Sequence, residues 1–269
     1  MRRLGFILFA GLAMGLIVLP SPAPAQPSEP RRSGFEFMGA ATQALQRDDA
    51  QNPAMLWVAD GRRRWHEAPA SAATPAVDAA PRSCAGCHGE AEQSMRGVAA
   101  RYPVWDDASG RPVKLAQRIN FCRERHQQSL AWAAESEGLL ALEAYLSLLS
   151  RGQALQRPED PRLAQAIERG RRLFAQPLGQ LALSCAQCHD QVAGGRLGGS
   201  LIPQGHPTAY PTYRLQWQSI GSLSRRLRGC MTGVRAEPLD AMSIAMVELE
   251  LFLAARAAGM LHEGPGVRP

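Results

Sequence analysis

The pattern Cys-x-x-Cys-His occurs twice in this 269-residue chain, at Cys84-Ala85-Gly86-Cys87-His88 and at Cys185-Ala186-Gln187-Cys188-His189. No other feature constrains the fold as strongly. Two thiols on one turn of chain can each add to a vinyl group of a single haem, and the residue after them places an imidazole on the iron. A redox pair or half of a zinc site shares the C-x-x-C spacing, but two copies, both followed by histidine, single out covalent haem attachment. Two haem c groups are therefore expected, held by Cys84, Cys87, Cys185 and Cys188, with His88 and His189 as proximal iron ligands.

The two motifs belong to a longer repeat. Gly61-Arg62-Arg63-Arg64-Trp65 precedes the first and Gly170-Arg171-Arg172-Leu173-Phe174 the second, and one isolated cysteine follows each, Cys122 and then Cys230. Beyond them lie the apolar-periodic runs Leu140 to Leu146 and Val247 to Leu253. The offsets are 101 residues from Cys84 to Cys185, 108 from Cys122 to Cys230 and 107 from Glu143 to Glu250. A repeat this long is a duplicated domain rather than a solenoid unit. The expected fold is all-α, with two tandem cytochrome c-like domains. Each half reads as a helix, a haem motif, a loop with the lone cysteine and a closing helix. Helical periodicity covers Ser136–Ser150, Pro161–Phe174 and Leu239–Ala257. Pro and Gly between Arg151 and Arg162 mark the boundary, giving domains 26–155 and 156–269. Glu67–Pro81 and Gly194–Tyr213 read as loops.

The first 25 residues read as a secretory leader. Arg2 and Arg3 precede the apolar run Leu4–Leu19, and Ala23-Pro24-Ala25 offers a small-x-small cleavage site. Sixteen apolar residues are too few for a bilayer span, which takes about 20. The expectation is a soluble, periplasmic protein with no membrane span. Loss of Arg2 and Arg3 lowers the formal charge from +6 to +4. No basic stretch is interleaved with aromatic residues, so no nucleic-acid groove is expected.

An exported chain with six cysteines also admits disulfides. Cys122 and Cys230 could pair with each other, remain as buried thiols, or fill the sixth position on each iron. Other ligands by residue type are Met95 and His126 for the first haem, and His206, Met231 and Met242 for the second. Equivalent placement in the two halves favours axial ligation over a bond joining equivalent points of two domains.

Several stretches resemble the SoxA family, the dihaem subunits of the SoxAX cytochromes of sulfur oxidation. They are Leu45 to Asp49 with Asn52-Pro53 and Trp57, Ser83 to Gly89, Arg118 to Arg123, Leu183 to His189, Tyr210 to Arg214, and Arg225 to Met231. The resemblance implies His88 and Cys122 on the first iron and His189 and Cys230 on the second, with Cys230 occurring as a persulfide. It implies an L-cysteine S-thiosulfotransferase that joins thiosulfate to a cysteine of the carrier SoxYZ. A SoxX-type monohaem cytochrome takes part of the electrons. Cys230 is then the catalytic sulfur and Arg226 the substrate-binding residue, with Arg225 and Arg228 adding positive potential. Some family members lack the first haem, but Cys84, Cys87 and His88 imply that this chain keeps it. The Glu67–Pro81 segment is long for the family. A dihaem thiosulfate dehydrogenase forming tetrathionate, and a plain electron shuttle, are the alternative readings.

Overall fold

Each half is built on a pair of helices that touch backbone to backbone. In the first, α1 (Ala40–Arg47) leads to α2 (Met55–His66), which crosses α6 (Glu137–Leu148); in the second, α7 (Ala164–Ala175) crosses α9 (Ile244–Ala257). The crossing points are glycines. A Cβ on Gly61 would lie 2.0 Å from the carbonyl oxygen of Ala141, and one on Gly170 would lie 2.0 Å from that of Glu248. Tyr145 and Phe252 close the same crossings from the other side. Around them the cores form, with Trp65, Leu140, Leu142 and Leu146 in one half and Phe174, Met231, Leu249 and Leu253 in the other.

The computed structural model describes residues 30–69 and 82–269; the expected leader and most of Glu67–Pro81 lie outside the described residues. The first haem motif forms the short helix α3 (Cys84–His88), followed by α4 (Ala91–Ser94). A hairpin, β1 (Val104–Asp106) with β2 (Arg111–Val113), then leads into α5 (Leu115–His126). The second half repeats the plan. Its haem motif runs into a π-helical turn at Gln187–Gln191, and a small hairpin, β3 (Arg196–Leu197) with β4 (Ser200–Leu201), follows. Then β5 (Thr212–Arg214) and β6 (Ser219–Gly221) lead into α8 (Leu223–Gly233). The terminal strand β7 (Gly266–Arg268) pairs in parallel with β5, placing Arg268 opposite Arg214.

Three expectations need amendment. The fold is helical but not all-α, because seven strands are present among the described residues. They are two or three residues long, too short for alternation to register in the sequence. Cys122 and Cys230 sit on α5 and α8 rather than on loops. Both helices are polar and arginine-rich and bury few apolar residues, so neither stands out in the sequence as a core helix. The last helix starts at Ile244 rather than Leu239, because the Ser243 hydroxyl accepts from the Met246 amide and caps it there. Among the described residues no helix is long and apolar enough to cross a membrane.

Residues Arg31–Pro269 pack as one unit. The segment carrying the expected boundary pairs with the C-terminal tail through Gly152 N to His262 O and Leu155 N to Met260 O, both 2.8 Å. The chain's single lysine, Lys114, is buried where the halves meet. Its ammonium donates to the Ala241 carbonyl at 2.7 Å, to Ser224 Oγ, and to Glu250 at 3.3 Å. The same place holds a cavity of about 120 Å³ that Lys114, Glu143, Glu250, Tyr102 and Tyr210 help to line. Burial pushes the Glu143 carboxyl up to about 8, with Lys114 only partly offsetting it.

Two outcomes are expected. Gly61→Ala and Gly170→Ala should each lower stability by about 3 kcal/mol in chemical denaturation, because a backbone carbonyl blocks the new methyl and cannot move aside like a side chain. Glu143 binds its proton more tightly folded than unfolded. Its stabilising contribution is therefore complete below about pH 4.5 and lost as pH rises through about 8. The melting-temperature gap between Glu143→Gln and the wild type should widen in favour of the variant from pH 5 to pH 9.

Candidate functional site

The first cysteine motif is set at the start of a helix by its own sequence. Ser83 Oγ accepts the Gly86 amide at 3.0 Å, which starts α3 at Cys84 and brings Cys84, Cys87 and His88 onto one turn. Trp65, at the end of α2, donates its indole N–H to the Gly89 carbonyl at 2.9 Å and lies 5.8 Å from the His88 ring. Gln127, just past α5, reaches back to the Arg82 carbonyl at 2.9 Å. These contacts hold the motif against α5, and a cavity of about 610 Å³ opens between them.

The lining of that cavity suits a haem in its chemistry. Cys84, His88 and Cys122 line it together with Met95, Leu115, Ile119, Leu142 and Leu146, and Arg64, Arg101, Arg118 and Arg123 stand around it. Apolar walls suit the macrocycle and guanidiniums suit its propionates. Of the alternative ligands, Met95 shares the cavity, whereas His126 is exposed at the end of α5. Burial, with Cys122 nearby, pushes the Cys84 thiol up.

The second motif is capped reciprocally, since Ser184 Oγ accepts from Gln187 N and Gln187 Oε1 accepts from Ser184 N at 2.7 Å. The π turn then carries Cys188 and His189. His189 Nδ1 lies 2.7 Å from the Pro203 carbonyl. With Nδ1 donating, Nε2 is left as an acceptor, the tautomer of a metal-ligating imidazole. Burial lowers the His189 pKa, the Pro203 hydrogen bond partly offsets it, and Arg226 and Arg256 add to the lowering, which favours the neutral ring. Gly205, at φ +73°, lets the 203–206 loop approach that ring, since a Cβ there would lie 3.1 Å from it.

Each lone cysteine faces the motif of its own half. Cys122 interacts electrostatically with Cys84 and Cys87, and Cys230 with Cys185, whose thiol is pushed up to about 11 by burial and then by Cys230. All six thiols are unpaired, so no Cys122–Cys230 disulfide forms. Of the other candidates in the second half, Met231 is in the core, Met242 lines the cavity between the halves, and His206 is buried beside His189. No cluster of three or more His, Cys, Asp or Glu suited to a bare metal ion occurs among the described residues.

Arg226 stands one helical turn before Cys230 on α8 and makes no ion pair among the described residues. Its neighbour Arg225 is engaged, donating to Ser219 Oγ at 3.1 Å and lying over the Trp217 ring at 4.2 Å, while Arg228 is exposed. Sequence reading did not single out two further residues here, Tyr210 and Arg214 on the β5 side, both within electrostatic range of Arg226 and Cys230. The signal was available, because each has a counterpart 108 residues earlier, Tyr102 and Asp106.

The SoxA/TsdA cytochrome c domain family matches residues 63–155 and again 169–261. An L-cysteine S-thiosulfotransferase subunit SoxA of Pseudaminobacter salicylatoxidans is 33% identical over 88% of this chain and 80% of its own length. The protein of the same name from Paracoccus pantotrophus is 33% identical over 88% of this chain and 78% of its own. The crystal structure of SoxXA from P. pantotrophus matches with a TM-score of 0.82 at 33% identity, covering 89% of this chain and 87% of that one.

Separate thiols have a direct check. Alkylation of the denatured, non-reduced holoprotein should label both Cys122 and Cys230 in peptide mapping, whereas a disulfide between them would leave both unlabelled.

Proposed function

The chain belongs to the SoxA family of cytochrome c proteins, the L-cysteine S-thiosulfotransferase subunits, and on that premise we propose that it carries two haems and performs its chemistry at the second. The proposed domains are 26–155 and 156–269. Cys84 and Cys87 would hold one haem with His88 and Cys122 toward its iron, and Cys185 and Cys188 the other with His189 and Cys230. The 610 Å³ cavity shared by His88 and Cys122, and the Pro203 carbonyl that orients His189, support this ligand set. Two family matches, one per half, support the haem count.

The proposed reaction joins thiosulfate to a cysteine of a SoxYZ-type carrier. Overall, one thiosulfate dianion and one carrier thiol give the carrier S-thiosulfonate, one proton and two electrons. Cys230 sulfur bonds to the outer sulfur of thiosulfate as two electrons leave. The carrier thiolate then attacks that outer sulfur, takes the thiosulfonate group and releases the Cys230 thiolate. Bound haem supplies the electron sink, draining toward a SoxX-type monohaem partner such as the one paired with SoxA in the P. pantotrophus structure. Arg226 holds the sulfonate end through charge-assisted hydrogen bonds. The observation that carries the reading is an arginine free of ion pairs one turn from a cysteine that faces the second haem motif. The proposed periplasmic location is supported by the leader-like pattern of Arg2-Arg3, the apolar run Leu4–Leu19 and Ala23-Pro24-Ala25.

Arg226→Ala should lower catalytic efficiency by one to two powers of ten, the worth of a charge-assisted contact of ~1.5–3 kcal/mol, with two haems still present by mass. Cys230→Met can refill the iron but cannot bond to thiosulfate, so carrier loading should stop. Normal loading by the Met variant, or tetrathionate formed without carrier, would overturn the proposed reaction.

A further inference from the structure

The duplication supplies an internal comparison for the second site. A shift of 108 residues carries the hairpin β1–β2 onto β5–β6 with its register intact, since Val104↔Val113 becomes Thr212↔Gly221 and Asp106↔Arg111 becomes Arg214↔Ser219. The same shift carries Leu115, the start of α5, onto Leu223, the start of α8, as well as Tyr102 onto Tyr210, Arg118 onto Arg226 and Cys122 onto Cys230. Of these four site positions, tyrosine, arginine and cysteine are the same in both halves. The fourth is reversed in charge, Asp106 in the first half and Arg214 in the second.

That exchange alters what each site can hold. In the first half the Arg118 guanidinium lies 2.8 Å from Asp106, a nearly buried carboxylate that also accepts the Ser109 amide at 2.8 Å. The pair is neutral and its donors are satisfied. In the second half the same two positions carry two guanidiniums. Arg214 forms no ion pair, and its Nε is buried without a hydrogen-bond partner among the described residues. Arg268, opposite Arg214 across the sheet, cannot be the missing complement, because it is a third cation, already engaged by Glu263 at 3.2 Å and by Gln46. The Trp217 ring steadies the Arg214 guanidinium at 5.2 Å. Burial and then the neighbouring Arg226 both disfavour its charge. Two half-buried like charges with an orphan donor form an unfavourable arrangement that a bound dianion relieves.

We propose that Arg214 is a second substrate-binding residue, which together with Arg226 clamps a dianionic sulfur oxyanion through its tetrahedral sulfonate end, and that Asp106 denies the first haem site the same ability. The proposal deepens the reading above and rests on it for the identity of the substrate. Arg226 approaches from α8 and Arg214 from β5, so the anion is held between helix and hairpin beside Cys230. Sulfate shares the tetrahedral dianion but has no sulfur to transfer, which makes it a probe of the clamp alone.

The test uses the two-haem holoprotein and measures two quantities, sulfate affinity by calorimetry and steady-state thiosulfate kinetics with carrier. Arg214→Gln should weaken sulfate binding and raise the KM for thiosulfate at least tenfold while kcat stays within twofold. Arg214→Lys should recover part of the loss. Arg214→Asp, which recreates the first half's neutral pair, should remove sulfate binding by a hundredfold or more. Should the Gln variant lose haem or melt early, Arg214→Met keeps the stem on Trp217 and carries the same expectation. Sulfate affinity and KM within twofold of wild type in both the neutral and the Asp variants would overturn the proposal. If wild type binds sulfate through Arg214 yet loads no carrier, the clamp stands and the assigned reaction falls. If wild type turns over and the variants bind sulfate normally, the clamp alone falls.

Discussion

Each half of the molecule is organised around a helix crossing at which glycine allows direct backbone contact. At Gly61 and Gly170 the approach to the facing carbonyl is closer than any side chain would permit. Close crossings maximise dispersion contact over a short helix pair, and they fix the direction in which α2 and α7 deliver the chain to the haem motifs. Trp65 and Phe174, one turn beyond each glycine, then pack toward the motif and the core. The two halves share this device although their aromatic residues differ.

The halves are bound into one unit by the parts that do not repeat. Lys114 has a serine at its counterpart position in the second half, Ser222. As the chain's single lysine it is sunk where the halves meet, with a carboxylate, a hydroxyl and a carbonyl around its ammonium. A buried charge pair of this kind is weak as net stabilisation but costly to leave half-made, which gives it the character of a registration device. The C-terminal strand completes the joint, since β7 pairs with β5 while Gln46 from α1 accepts the Val267 amide at 3.0 Å. The strand that carries Arg214 is therefore held from both sides.

The two haem motifs are alike in sequence and unlike in support. His189 is half-buried and oriented by a carbonyl, and its pKa is lowered by desolvation first and by neighbouring arginines after it, whereas His88 is exposed and rests against an indole. The first half pairs the arginine near its lone cysteine with a carboxylate beside a large cavity; the second leaves two arginines near its own without ion pairs among the described residues. Such a division suits one site for holding and passing electrons and another for meeting a charged substrate.

The sequence by itself determined whatever rests on neighbours along the chain. The expectation of haem attachment rests on residues three and four apart, the duplication shows in the recurring Gly-Arg-Arg and lone-cysteine positions, and the resemblance to SoxA rests on short contiguous stretches. The long helices α6 and α9 were legible for the same reason, because each is a contiguous apolar stretch buried on nearly every side. Only the tertiary structure decided that Cys122 and Cys230 lie on helices, for α5 and α8 bury too few apolar residues to announce themselves. It alone brought His88 and Cys122 to one cavity, sank Lys114 between the halves, and set Asp106 against Arg118 where the other half sets Arg214 beside Arg226. Strands of three residues carry no readable period, and a charge's partner twelve or more residues away is chosen by packing, which the local pattern does not encode.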